Sequence, residues 1–83
     1  MQLIQILTNT IEQANSVLDE LKSGESFETL YEKYQKIYPD SGDVSNREIK
    51  FDQFEAAIAD LNVGDYSDPI NTVFGFHIVY RTS

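Results

Sequence analysis

Apolar side chains recur along the chain in two rhythms, and the changes of rhythm mark out its elements. In residues 2–8, QLIQILT, Leu3, Gln5 and Leu7 fall on one side of an extended chain and Ile4 and Ile6 on the other. Both sides are largely apolar, which predicts a central strand in which Gln5 needs a hydrogen-bond partner. The spacing then becomes helical. Thr10 and Gln13 have the separation of a capping box, Ile11, Ala14, Leu18 and Leu21 follow as a stripe, and Gly24 closes the helix after Lys22. Ser26 opens a second helix carrying Phe27, Leu30, Tyr31 and Tyr34 on one face, a core stripe rather than a ligand box. Pro39, Ser41, Gly42 and Asn46 break the pattern, with Val44 in a short edge strand. Phe54, Ala57, Ile58 and Leu61 rebuild a helical stripe that Gly64 ends. A turn and a short strand surround Pro69. The last strand, Val73 to Arg81, places Phe74, Phe76, Ile78 and Tyr80 on one face and Gly75, His77 and Val79 on the other. Helices interrupting few strands predict an α+β fold with an antiparallel sheet, its final two strands forming a hairpin.

Composition narrows the function classes. A chain of 83 residues makes one domain, 1–83, expected to be monomeric. Fourteen acidic residues against six basic ones give a net charge of −8, which repels phosphate backbones and anionic lipid. Nucleic-acid binding is therefore not expected. Nor is membrane insertion, because the apolar runs fall far short of the ~20 residues that cross a bilayer. The acidity serves solubility, and beyond that it suits basic, unfolded segments as partners. With no Cys there is neither a thiol nucleophile nor a disulfide, and compartment stays open.

The chemistry that remains is sparse. His77 is the single histidine and the side chain that titrates near neutrality. No nucleophile elbow, EF-hand loop or phosphate-cradling glycine loop occurs, so no metal or cofactor is implied. Taken alone, His77 reads as a neutral imidazole within a strand, satisfied by a hydroxyl such as that of Thr72.

The wider pattern points further. Gly64, Ser67 and Pro69, followed by Gly75-Phe76-His77-Ile78-Val79, resemble the parvulin family of peptidyl-prolyl isomerases. The segment from Leu18 to Gly24 followed by Phe27 and Leu30, the triplet Gly42-Asp43-Val44, and Phe54-Glu55-Ala56-Ala57 resemble it in the same order. The resemblance spans essentially the whole chain. It implies a βαααβαββ-type fold with a further short helix after Ile37, a four-stranded antiparallel sheet, and a shallow cleft for a proline-containing segment. It also implies His77, Gln5 and Thr72 as the polar group beside the rotating amide, and Val44, Ile49, Phe51, Phe54 and Ile37 as the substrate-binding side chains. No cofactor is implied, and the partners would be proline-containing segments of unfolded client proteins.

Two positions depart from the family's pattern. Its first strand usually carries His-Ile-Leu where this chain has Gln5-Ile6-Leu7, and Ile37 stands where Cys or Asp is usual. Two readings follow: an active isomerase assisting folding, or a parvulin-fold module that binds clients with little or no catalysis. The uncharged connection Thr8-Asn9-Thr10 lacks the basic cluster of phosphate-selective members, so phospho-specificity is not expected. As a domain excised from a foldase the chain would work outside the cytoplasm; as a stand-alone protein it would be cytoplasmic.

Overall fold

The computed structural model describes residues 1–45 and 51–83. Seven elements follow in order: β1 (Leu3–Thr8), α1 (Ile11–Lys22), α2 (Phe27–Gln35), β2 (Gly42–Asp43), α3 (Asp52–Ala59), β3 (Ile70–Thr72) and β4 (Gly75–Arg81). The strands form one antiparallel sheet in the order β2-β1-β4-β3, so β1 is central as its two apolar sides require. Its register with β4 sets Gln5 opposite Val79 and Leu7 opposite His77.

Local chemistry explains the helix boundaries. Thr10 Oγ1 accepts the Gln13 amide while Gln13 Oε1 accepts the Thr10 amide, a complete capping box that satisfies two otherwise unpaired donors. Ser26 caps α2 by accepting the Thr29 amide. The inward stripe of α1 is Ala14, Val17, Leu18 and Leu21; Val17 replaces Ile11, which is 39% exposed. Helix α3 ends at Ala59, earlier than the stripe through Leu61 predicts. Leu61 is still buried, because its amide bonds the Ile58 carbonyl and turns the chain back over the helix. The short helix implied after Ile37 does not form: residues 36–40 are turns and a bend.

Two cores result. On one face α1 and α2 pack Val17, Leu18, Phe27 and Leu30 against Ile6 and Ile78, with Phe27 stacked on Tyr80 at 4.8 Å. On the other, α3 packs Phe54 against Leu3, Val44, Leu61, Ile70 and Val79. The period-2 alternation of β1 and β4 keeps these faces separate, and it sends Gln5 and His77 to the α3 face. Among the described residues no helix is long and apolar enough to cross a membrane.

Candidate functional site

Gln5 from the central strand and His77 from its neighbour are both 1% exposed, and each is a costly side chain to bury without partners. They satisfy one another: His77 Nδ1 lies 2.7 Å from Gln5 Oε1. Thr72, at the end of β3, closes the other side with Oγ1 2.6 Å from His77 Nε2. The Phe74 amide donates to the same hydroxyl oxygen at 3.1 Å. One proton arrangement satisfies every group: Thr72 accepts from Phe74 N–H and donates to Nε2, leaving the proton on Nδ1 for the Gln5 carbonyl oxygen.

Burial pushes the imidazole down from its ordinary 6.5 to about 4, so it is neutral at physiological pH. A depressed histidine favours the fold above the unfolded value and penalises it below. Its contribution is complete above about pH 6.5 and is lost as pH falls toward about 4, a span corresponding to about 3 kcal/mol. Because His77 is the chain's single histidine, its ring-proton NMR titration reads this directly. A midpoint near 6.5, or a urea midpoint flat from pH 7 to 4, would contradict the buried neutral imidazole.

Aromatic rings wall the imidazole. Phe54 of α3 stands edge-on to it at 5.2 Å between centroids and Phe74 at 6.5 Å; Phe51, at the N-cap of α3, meets Phe74 at 5.9 Å. Helix α3 is tied over the sheet by Gln53 Nε2, which donates to the Asn71 carbonyl of edge strand β3 at 3.0 Å. The result is an apolar wall beside a fixed, uncharged polar relay. Such a surface can hold an apolar ring and offer hydrogen bonds next to it, and nothing in it is poised as a nucleophile.

Of the residues the sequence singled out, His77, Gln5 and Thr72 come together as one network. Phe54 joins it by ring contact, and Phe51 through Phe74. Val44 and Phe54 are each 3% exposed and share the second core, forming a floor rather than projecting side chains. Ile37 is 56% exposed in the turn after α2 and belongs to neither core cluster. The buried polar side chain from that connection is Ser41, whose Oγ accepts the Leu7 amide at 3.0 Å and extends the β1–β2 pairing. Ile49 lies outside the described residues.

Phe74 was expected on the Phe76 face, yet it stands beside His77. Residues 73 and 74 form the two-residue turn of the β3–β4 hairpin, where strand alternation no longer holds. Thr72 three residues before the Gly75-Phe76-His77 run was the signal that could have revealed that turn.

The family model described as Rotamase, PPIC-type PPIASE domain, matches residues 6–83. The foldase protein PrsA of Bacillus subtilis is 35% identical over 82 residues, covering 93% of this chain and 28% of that protein. PrsA of Halalkalibacterium halodurans is 30% identical, covering 93% of this chain and 25% of its own length. The crystal structure of the peptidylprolyl isomerase PrsA from Bacillus cereus superposes with a TM-score of 0.81 at 30% identity, over 100% of this chain and 34% of that one. The chain thus spans about a quarter to a third of the relatives it matches.

Proposed function

Because this chain belongs to the PPIC-type peptidyl-prolyl isomerase family, we propose that it rotates X–Pro bonds in unfolded protein segments, using the His77 network as its polar centre. The domain is of the parvulin type and the matches favour isomerisation in protein folding over a catalytically silent binding module. A domain of this family binds protein substrates; the proline-containing, non-phosphorylated character of those segments is part of the proposal. The observation that carries it is the buried relay Thr72–His77–Gln5 beneath the rings of Phe51, Phe54 and Phe74.

The reaction needs no more than this. Rotation of an amide crosses a barrier of ~18–20 kcal/mol without cleaving a covalent bond. A site that binds the twisted amide better than the planar one gains tenfold in rate for each ~1.4 kcal/mol of preference. The aromatic wall with Val44 receives the proline ring. Thr72, the partly exposed member of the relay, can turn its hydroxyl from His77 Nε2 toward the amide as it loses resonance, and the neutral imidazole, held by Gln5, exchanges no proton with the substrate. Gln5 fills the role of the usual strand histidine with an amide that does not titrate.

Two-dimensional NMR exchange on an Ala-Leu-Pro-Phe peptide tests the reading. Acceleration of cis-trans exchange is expected, together with shift perturbations around Gln5, Phe54, Thr72 and His77. No acceleration at protein concentrations that saturate the peptide would overturn it. In Gln5→Leu the Nδ1–H is left buried without its acceptor, so a loss of about 1–3 kcal/mol in stability is expected, with kcat/KM reduced roughly tenfold through the misplaced imidazole. A variant that kept both would remove Gln5 from the site.

A further inference from the structure

Helix α3 supplies the Phe54 ring to the site, yet packing holds it lightly. Phe54 is its one buried side chain, where α1 has four and α2 three; Ala57 and Ile58 are only partly covered. No side chain caps its N-terminus at Phe51. On the side toward β3, a cleft of about 460 Å³ is lined by Gln53 and Ala57, one helical turn apart, and by the chain from Ser67 to Asn71. Open space there leaves the helix room to shift, because close packing is what normally prevents it. Among the described residues one side-chain hydrogen bond ties α3 to the sheet across this margin, from Gln53 Nε2 to the Asn71 carbonyl at 3.0 Å.

Both ends of that bond lie next to the chemistry. Gln53 precedes Phe54, whose ring stands 5.2 Å from the imidazole of His77. Asn71 precedes Thr72, whose hydroxyl meets His77 Nε2. The acceptor is a backbone atom of β3, placed by the pairing of Asn71 with Phe76 of β4. We propose that Gln53 is a positioning residue for isomerisation: by bonding edge strand β3 it fixes Phe54, and with it the wall for the proline ring, relative to His77. This deepens the isomerase reading and rests on it. The bond lies at the surface, so water replaces it at both ends and its loss costs the fold little. Geometry is more demanding than stability here, since a misplacement of ~1 Å at a reacting group can cost ~10²-fold in rate.

Two substitutions in the intact chain separate positioning from folding. Gln53→Met keeps length, helix propensity and charge but has no donor; Gln53→Lys puts a donor back at similar reach. Two-dimensional NMR exchange on an Ala-Leu-Pro-Phe peptide gives kcat/KM, and urea unfolding gives stability. The ring-proton shifts of His77, the chain's single histidine, report the position of the neighbouring Phe54 ring. In Gln53→Met, kcat/KM is expected to fall roughly tenfold, the urea midpoint to stay close to wild type, and the His77 shifts to move. Gln53→Lys should bring rate and shifts back together. A Gln53→Met that keeps kcat/KM within about twofold of wild type would overturn the proposal. So would unmoved His77 shifts, a loss that Gln53→Lys leaves in place, or one that simply follows the urea midpoint. If the wild type isomerises no peptide, yet the His77 shifts move in Gln53→Met and return in Gln53→Lys, the control of Phe54 by Gln53 stands and the isomerase reading fails.

Discussion

Replacing Phe54 with alanine is expected to cost about 3–5 kcal/mol of stability and to reduce isomerisation by at least a hundredfold. The ring is 3% exposed and packs among Leu3, Val44, Leu61, Ile70 and Val79, so its removal leaves a cavity in the smaller of the two cores. A domain of this length is stable by only ~4–12 kcal/mol, so Phe54→Ala sits near the edge of folding. The thermal midpoint should fall by well over 10 °C. The catalytic loss has a separate origin: the same ring stands edge-on to His77 and forms the wall against which the proline ring is proposed to lie. Phe54→Leu separates the two effects. It nearly conserves volume and should cost under ~1.5 kcal/mol, yet it removes the flat aromatic face. Activity per folded molecule, measured well below each midpoint, decides between them. If Phe54→Ala is folded and keeps kcat/KM within threefold of wild type, Phe54 does not belong to the ring pocket.

What could be read from the sequence divides along the line between local and tertiary causes. The Thr10–Gln13 capping box, the Ser26 cap and the two-sided apolar character of β1 are set by neighbours within a few residues, and each is found as expected. The pairing of Gln5 with His77 was also legible, because a buried amide and a buried imidazole on adjacent strands have few other ways to be satisfied. The departures depend on distant contacts. Helix α3 stops at Ala59 although the apolar spacing continues to Leu61, since Leu61 is buried by the returning chain and not by a further helical turn. Ser41, an unremarkable loop serine in the sequence, becomes a buried partner of β1 because β2 is only two residues long and its pairing needs an extension. The short helix implied after Ile37 is replaced by turns, in which Ile37 is 56% exposed. Phe74 changed sides because a two-residue turn, not a strand, holds it.

That turn leaves no room for a side chain where the hairpin meets β1, and Gly75→Ala should expose this, with an expected loss above 4 kcal/mol. Two costs add at this position. Gly75 has φ of +133°, a conformation that residues with a Cβ rarely adopt. A Cβ there would also overlap the Thr8 carbonyl oxygen and lie 3.5 Å from Leu7 Cδ1. Thr8 and Leu7 belong to the central strand and pair with Phe76 and His77, so the overlap is relieved only by pushing β4 away from β1. That movement displaces His77 from Gln5 and carries Thr72, the register partner of Gly75, along with it. Gly64→Ala is the internal comparison. Gly64 also has positive φ, +90°, but nothing lies within 4 Å of its Cβ position, so about 1–2 kcal/mol of backbone strain is expected there and no more. Urea unfolding of the two variants therefore separates conformational strain from collision with the central strand. Equal losses would mean that β1 and β4 tolerate a side chain at the turn. In that case the close approach of the hairpin to Thr8 would not be what aligns Thr72, His77 and Gln5.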